Sequence, residues 1–250
     1  MSERSAGMVE IFSSIQGEGL LVGLRQIFLR FHACNLGCTY CDTEMHASPE
    51  LCAMEETPGR RDFTQVANPM ELSRLVALLD NWQRGWPGIH HSLSLTGGEP
   101  LLYRETLRDW LPVLRNYLPI YLETNGILHG ALADLIDLID FISMDIKLPS
   151  TSGHSGLWEQ HHEFLKVAGR KNTFIKAVIS DMTEDWEIAK TAEMITSVSK
   201  DITLILQPIT LTSGSVGISP LKTLEFQEIA SSYLSQVRVI PQTHRYLGQL

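Results

Sequence analysis

The feature that most constrains the fold is an alternation, from residue 27 onward, of short β-rich runs with longer segments of helical period. Branched and aromatic residues followed by turn residues favour strands. The predicted strands are IFLRF (27–31), SLSLT (92–96), IYLE (120–123), FISMDIK (141–147), TFIKAVI (173–179), ITLILQP (202–208) and VRVI (237–240). Repeated strand-helix-strand order predicts parallel βαβ units with right-handed crossovers.

The segments between these runs carry the spacing of amphipathic helices. In MELSRLVALLDNW, an apolar stripe recurs at i, i+3, i+4 and i+7, which is one face of a helix. The same pattern occurs in TEDWEIAKTAEMITSVS, behind a predicted N-cap at Thr183. The sequence therefore predicts an α/β protein, either a full or partial β/α barrel or a doubly wound sheet.

The placement of polar residues distinguishes these two architectures. TGGEP follows the second predicted strand, ETNG lies at the end of the third, and Asp145 and Gln207 lie at the ends of later strands. A barrel builds its site from the carboxyl ends of many strands, whereas an open sheet binds at a switch point. We therefore predict a partial, TIM-like β/α barrel of about six parallel strands.

The length of 250 residues and the hydrophobic content of 44% are enough for one sizeable core. We predict a single domain over residues 1–250. Residues 46–69, with three prolines, fit neither period and are predicted as a loop or small insertion.

Composition also restricts the partners of the chain. Its formal charge of -9 argues against a general nucleic-acid binder, because an acidic surface repels phosphates. Its apolar runs are far shorter than the roughly 20 residues of a membrane span. The opening residues contain no apolar core typical of a signal peptide. We expect a cytoplasmic protein, without nucleic-acid or membrane partners.

Three of the four cysteines lie in RFHACNLGCTYCDT (30–43), as Cys34, Cys38 and Cys41. A cytoplasmic disulfide would leave one of them over. Structural zinc needs four closed ligands, and His32 or His46 could complete such a set. An iron-sulfur cluster is the third interpretation, because three thiolates leave one iron open to bind something else. Cys52 is predicted to be an ordinary free cysteine.

The spacing C-x3-C-x2-C with Tyr40 before the last cysteine resembles the cluster loop of radical S-adenosylmethionine enzymes, and TGGEP resembles their GGE motif. This resemblance implies a 4Fe-4S cluster held by Cys34, Cys38 and Cys41. It also implies that S-adenosylmethionine chelates the open iron, so that one electron splits the sulfonium and produces a 5'-deoxyadenosyl radical. The hard chemistry then belongs to the cofactor, and no side chain is predicted to be a catalytic residue.

EIFSSIQGEG (10–19), CDT (41–43), ETNG (123–126) and PQTHRYL (241–247) resemble the 7-carboxy-7-deazaguanine synthase family. This resemblance covers nearly the whole chain. It implies a radical ring-contracting carbon-nitrogen lyase that converts 6-carboxy-5,6,7,8-tetrahydropterin to 7-carboxy-7-deazaguanine with loss of ammonia, on the route to queuosine and other deazapurines.

The family resemblance also implies the roles of individual residues. It implies magnesium binding by Thr43. It implies that S-adenosylmethionine contacts Tyr40, Gly97, Gly98, Glu99, Glu123, Asn125, Asp145, Ile146, Lys147, Gln207, Pro208, Ile209 and Thr210. It implies that substrate contacts Ile15, Gln16, Gly17, Glu18, Arg30, Thr96, His244 and Leu250.

Elementary chemistry agrees with several of these roles while leaving other interpretations open. Arg30 lies in an apolar strand, where a guanidinium needs an anion; the anion is a substrate carboxylate or a structural ion-pair partner. The Gln16 amide both donates and accepts at a pterin edge, or belongs to a glycine-rich turn. His244 is either a substrate contact from a folded-back tail or a structural histidine.

Two other functions compete with the synthase. Activating enzymes for glycyl-radical proteins share the cluster loop, and a zinc-stabilised binding module would use the same cysteines without catalysis. The synthase interpretation implies an electron donor such as flavodoxin or ferredoxin, and a homodimer.

Overall fold

The computed structural model describes residues 4–41 and 49–250. The strands are β1 (Ser5–Ala6), β2 (Met8–Ile15), β3 (Arg25–Phe31), β4 (Leu51–Glu55), β5 (Phe63–Ala67), β6 (Met70–Glu71), β7 (Ser92–Gly97), β8 (Ile120–Thr124), β9 (Phe141–Ile146), β10 (Asn172–Ile179), β11 (Thr203–Pro208) and β12 (Val237–Val239). The α-helices are α1 (Leu72–Gly85), α2 (Arg104–Leu114), α3 (His129–Leu135), α4 (Pro149–Ser152), α5 (Trp158–Ala168), α6 (Asp185–Val198), α7 (Pro220–Ser231) and α8 (Thr243–Leu247).

The central sheet has ten strands in the order β12-β11-β10-β9-β8-β7-β3-β2-β4-β5. From β3 through β7 to β12 every neighbouring pair is parallel. These seven strands follow the chain order without the reversal that defines a doubly wound sheet. The prediction of a partial β/α barrel is confirmed, with seven parallel strands rather than about six.

Residues 51–67 differ from the predicted loop, because β4 and β5 pair as an antiparallel hairpin that extends the sheet beside β2. Cys52 is buried in β4 as a free thiol. Strand β2 was not predicted, since serines interrupt its apolar pattern, yet it pairs antiparallel with β3. The N-cap of α6 is Glu184 rather than Thr183, and Glu184 forms a capping box with Glu187.

Alternate residues of the parallel strands face two different environments. In β10, Ile175, Ala177 and Ile179 belong to the large core that also contains the apolar faces of the helices. Residues of the other parity face inward, where Tyr121, Phe174 and Ile205 form a smaller cluster. Two positions after each of these three residues, the strand carries a polar residue that also faces inward. The cluster therefore forms the floor below a polar cavity.

No helix within residues 4–41 and 49–250 is long and apolar enough to cross a membrane.

Candidate active site

A cavity of about 230 Å³ lies at the carboxyl ends of the parallel strands. Most residues predicted for the site line it. These are Ile15, Gln16, Gly17, Glu18, Arg30, Cys34, Cys38, Tyr40, Cys41, Thr96, Gly97, Gly98, Glu123, Asn125, Asp145, Lys147, Gln207, Ile209, Thr210, His244 and Leu250. The fold thus brings together residues from both ends of the chain and from five of the parallel strands or the turns after them.

Four predicted residues are placed differently. Thr43 lies outside the described residues. Ile146 and Pro208 do not line the cavity, although their neighbours in sequence do. Successive side chains of a strand point to opposite faces, so these two point away from the cavity. Glu99 is fully buried behind the cavity.

The cavity also contains residues that the sequence reasoning missed. They are Phe28, Leu36, Thr124, Lys176, Val178, Gln242 and Arg245. Lys176 had a detectable signal, since TFIKAVI places a charge within an apolar strand as IFLRF does for Arg30. A charge in such a run requires a buried partner.

The cysteine loop forms one side of the cavity. Cys34 and Cys38 are half-buried and Cys41 is exposed, and all three are cysteine thiols rather than disulfide halves. Thr39 attaches the loop to the segment after β9, with its N–H donating to the Ser152 carbonyl at 3.2 Å. Burial raises the pKa of both Cys34 and Cys38. Neutral thiols become ligands only when a metal draws off their protons.

The donor set fits an iron-sulfur cluster held by three thiolates. Three thiols face one cavity from a single loop, as a three-thiolate cluster with an open iron requires. Within residues 4–41 and 49–250, no three His, Cys, Asp or Glu side chains form a group that could hold a single metal ion. His46, one of the suggested fourth zinc ligands, lies outside these residues.

The GGE segment gives the cavity a backbone wall. Gly97 has φ +108°, and a Cβ there would overlap the backbone of Phe31, so only glycine fits. The Glu99 carboxylate accepts bonds from the N–H groups of Leu101 and Asn125 at 3.0 and 2.8 Å and from the Thr124 hydroxyl. Burial raises the pKa of Glu99 to about 7 despite these donors. Glu99 therefore holds the ETNG turn in place behind the wall.

Three buried side-chain atoms around the cavity have no hydrogen-bond partner within the described part of the chain. They are Asn125 Oδ1, Gln207 Oε1 and Thr210 Oγ1, and all three residues line the cavity. A buried polar atom without a partner is costly. The cavity therefore fits a ligand with several hydrogen-bonding groups, as S-adenosylmethionine has.

Alternating charges cross the cavity from the turn after β2 to the cysteine loop. Lys176 pairs with Glu18 and lies 3.3 Å from Asp145 Oδ1. Asp145 Oδ2 is 2.6 Å from Lys147 Nζ, which donates to the Tyr40 hydroxyl at 3.1 Å. We call these five residues, Glu18, Lys176, Asp145, Lys147 and Tyr40, the charge chain.

Mutual pairing fixes the ionisation of the charge chain. Burial opposes the charge on Glu18, but Lys176 outweighs it and lowers the pKa of Glu18 to about 2. Burial likewise opposes the ammonium of Lys147, but Asp145 raises its pKa above the ordinary value. Burial raises the pKa of Tyr40 to about 12. At neutral pH Glu18, Lys147 and Lys176 are charged and the Tyr40 phenol is neutral.

His161 supports the Lys147 end of the charge chain from behind. Its Nε2 accepts from the Lys147 N–H at 3.1 Å, and its Nδ1 is 3.0 Å from the Gly126 carbonyl. These partners require the proton on Nδ1. Burial lowers the pKa of His161 to about 4, so the neutral ring joins β9 to the ETNG turn.

Glu123 anchors a second group of polar contacts. Its carboxylate accepts from Gln16 Nε2 at 2.8 Å and from Thr96 Oγ1 at 2.9 Å, and burial raises its pKa. Gln16 Nε2 also donates to Gln26 at 2.9 Å, and Gln16 Oε1 accepts from the Glu18 N–H at 3.0 Å. The Gln16 amide is thus fixed in one orientation at the cavity.

Arg30 lines the cavity while forming a structural ion pair. Its Nε lies 2.6 Å from Glu10 Oε1, across the β2–β3 pair, and its guanidinium carbon lies 5.7 Å from the centroid of Phe12. The structural alternative for Arg30 is therefore present, and the side chain still borders the cavity.

The C-terminal tail forms the remaining side of the cavity. The Thr243 N–H donates to the Gly17 carbonyl at 2.8 Å, and Gln242 Nε2 donates to Glu18 Oε1 at 2.7 Å. A Cβ on Gly17 would overlap the His244 ring. The tail, with His244 and Leu250 at the cavity, therefore depends on a glycine in IQGEG.

The sequence profile of the Radical SAM superfamily matches residues 29–195, which include the cysteine loop, the GGE segment and the charge-bearing strands β9 and β10. The chain thus belongs to the radical SAM superfamily.

Similarity to individual proteins narrows this class. The chain is 56% identical over 250 residues to the 7-carboxy-7-deazaguanine synthase of Geobacter sulfurreducens, covering 100% of each chain. It is 34% identical to that of Methanothermobacter thermautotrophicus, covering 97% of each. The chain therefore belongs to the 7-carboxy-7-deazaguanine synthase family. The crystal structure of QueE from Escherichia coli, at 18% identity, has the same fold with a TM-score of 0.59 and covers 96% of this chain and 95% of that one.

Proposed function

We propose that the chain is a 7-carboxy-7-deazaguanine synthase that converts 6-carboxy-5,6,7,8-tetrahydropterin to 7-carboxy-7-deazaguanine with release of ammonia. The observation that carries the proposal is the 56% identity to a synthase over the full length of both chains. The site agrees with it, because cysteines, polar ligand-binding atoms and buried charges face one cavity of small-molecule size.

Cys34, Cys38 and Cys41 would hold the 4Fe-4S cluster. S-adenosylmethionine would lie along Gly97, Gly98 and the ETNG turn, with Asn125, Gln207 and Thr210 as hydrogen-bonding partners. When bound, the cluster and S-adenosylmethionine supply a carbon-centred radical able to abstract hydrogen. The chain itself contributes binding, orientation and exclusion of water.

The substrate would occupy the side of the cavity opposite the cysteine loop. Arg30 would face the substrate carboxylate with the part of its guanidinium fork that Glu10 does not use. Glu18 and Gln16 would meet the hydrogen-bonding edge of the pterin, and Thr96 would contact the ring. His244 and Leu250 would cover the substrate from the tail and keep water away from the reactive carbon.

Three further elements complete the proposal. Magnesium would bind Thr43 and substrate oxygens, since it takes few protein ligands and hard oxygen donors. A flavodoxin or ferredoxin would supply the electron. The chain would fold as a single domain over residues 1–250 and act as a homodimer.

Product analysis tests the reaction directly. The protein is purified and reconstituted without oxygen, then supplied with the carboxytetrahydropterin, magnesium, a reductant and substoichiometric S-adenosylmethionine. Mass spectrometry is expected to show 7-carboxy-7-deazaguanine and ammonia in amounts exceeding the S-adenosylmethionine. Absence of the deazaguanine from a preparation with intact cluster absorbance would contradict the proposal.

A further inference from the structure

Lys176 is a buried cation for which the family motifs provide no role. It lies on β10 facing the cavity and is 6% exposed. Its ammonium pairs with one oxygen of Glu18 and lies 3.3 Å from Asp145 Oδ1. An ammonium so completely buried is stable only when its donors meet acceptors.

The Glu18 carboxylate is held from two sides. Lys176 contacts Oε2, and Gln242 Nε2 donates to Oε1 at 2.7 Å. Each carboxylate oxygen has a second lone pair, and Glu18 borders the cavity. The carboxylate can therefore accept two further hydrogen bonds without losing its protein partners. Two parallel acceptors match the amino and ring N–H donors at the guanidine-like edge of a pterin.

We propose that Lys176 is a positioning residue that holds the Glu18 carboxylate ionised and oriented toward the amino-bearing edge of the pterin. This inference rests on the proposed function, because it takes the substrate to be a pterin. Lys176 touches neither the reacting carbon nor the cofactor in this role; it acts through Glu18.

The charges around Glu18 determine the consequence of removing Lys176. Glu18 faces Lys176 on β10 and, beyond it, the Asp145 carboxylate on β9. It also faces Glu123 and Tyr121 on β8. In the tail it faces His244 and Gln242. Without Lys176, burial and two acidic neighbours oppose the charge on Glu18. The Glu18 pKa, about 2 when Lys176 is present, would rise, and a protonated carboxyl would offer one acceptor fewer to the pterin.

Affinity for 6-carboxypterin, measured by its fluorescence on the anaerobically reconstituted enzyme with S-adenosylmethionine, tests the proposal. This oxidised analogue has no hydrogen at C6 to abstract. At pH 6 we expect Lys176→Met to bind about 30-fold more weakly than wild type. The ratio of variant to wild-type affinity should recover as the pH rises to 8, and Lys176→Arg should show little pH dependence. A loss equal at all pH values, or no loss, would overturn the proposal.

A double-mutant cycle covers the case in which Lys176→Met fails to fold. Lys176→Met with Glu18→Gln removes both charges together, and it is compared with Glu18→Gln alone. If Lys176 acts through Glu18, the double variant binds 6-carboxypterin within about 2-fold of the single one. Losses that multiply would show an independent role and reject the proposal.

Wild-type turnover distinguishes this inference from the proposed function. If the wild-type enzyme forms no deazaguanine and does not bind 6-carboxypterin, the proposed function fails and this inference fails with it. If wild type does both and the Lys176 variants behave like it, only this inference fails.

Discussion

The two ends of the cavity are built in opposite ways. At the cysteine-loop end, three thiols occupy a loop, partly exposed, and burial raises the pKa of two of them. At the other end, Glu18, Lys176 and Asp145 are carried by the sheet and the turn beside it, and they neutralise one another. Cys34 and Cys38 need an external group to become charged, whereas Glu18 and Lys176 are ionised without a ligand.

This difference indicates how the fold divides its work. A thiol site acquires thiolate character when metal arrives, so the cofactor itself completes the structure of the loop end. The charged side chains of a pterin site have to be oriented before the pterin binds. Orienting them during binding would cost free energy, and side chains that are already fixed avoid this cost. The two ends of the cavity should therefore fail independently when either one is altered.

The largest effect is expected at the loop end. Cys38→Ala leaves two thiols on the loop, too few to hold the cluster. Iron and sulfide contents should fall to background, and deazaguanine formation should be undetectable. The free energy of unfolding in urea should be the same within about 1 kcal/mol for the variant and the wild type, both measured without a cluster, because the charge chain is untouched.

Cys52→Ser is the matched control for this loss. Cys52 is buried in β4, away from the cavity, and burial raises its pKa to about 12. Cluster content should be unchanged by the substitution. If Cys52→Ser removed iron as Cys38→Ala does, Cys52 would be a ligand and the three-thiolate site would be rejected.

The next largest effect is expected at the centre of the charge chain. Asp145→Asn leaves Lys147 and Lys176 without the carboxylate between them. Breaking a buried charge network by removing one partner typically costs about 3–5 kcal/mol. Urea unfolding should show this loss, while the three cysteines still bind iron.

A surface ion pair provides the comparison for Asp145. Glu163 pairs with Lys166 at 2.7 Å on the exposed face of α5. Glu163→Gln should leave the free energy of unfolding nearly unchanged, because water screens an exposed ion pair. If the two substitutions destabilised the protein equally, the charge chain would be no more than a set of solvated pairs.

The same two ends differ in how far the sequence predicts them. Cys34, Cys38 and Cys41 fall within eight positions of one loop, so their spacing already predicts a shared site, and the family resemblance implies that this site holds a cluster. The strand order followed from the alternation of β-rich and helical segments, since parallel βαβ units have few alternatives.

The charge chain is less accessible from the sequence because its members are far apart along the chain. Glu18 and Lys176 are 158 positions apart, and only the register of neighbouring parallel strands places Lys176 beside Asp145. The role of Glu99 behind the wall depends on backbone N–H groups of a turn, which no residue pattern reveals. β2 was missed because pairing with β3, rather than propensity, defines it.

An intermediate effect on stability is expected from pH, through His161, which joins β9 to the ETNG turn. Burial lowers the pKa of His161 from 6.5 in the unfolded chain to about 4 in the folded one. Between these values the unfolded state binds more protons, so stability is full above pH 6.5 and falls as pH drops toward 4. The loss contributed by His161 should reach about 3 kcal/mol in urea unfolding.

His161→Gln should remove this part of the acid slope. His162→Gln is the control on the adjacent position, whose Nε2 instead contacts Ser197 at 3.1 Å on the exposed face of α5. Burial also lowers the pKa of His90 to about 4. His90 and other buried groups contribute equally to the loss of stability at low pH in both variants. Identical acid slopes for the two variants would exclude His161 as a titrating link.

The smallest effect is expected where the tail meets the turn after β2. Gly17→Ala places a methyl group against the His244 ring, so the tail must move while the sheet stays in place. KM for the carboxytetrahydropterin should rise about 10-fold, and iron content should not change. Gly130→Ala in α3, where a Cβ meets nothing within 4 Å, should leave KM unaltered and stabilise the helix by about 0.5–1 kcal/mol. An unaltered KM in Gly17→Ala would mean that the tail does not contact the substrate, and the pterin end would then be formed by the charge chain, Arg30 and the Gln16 turn without the tail.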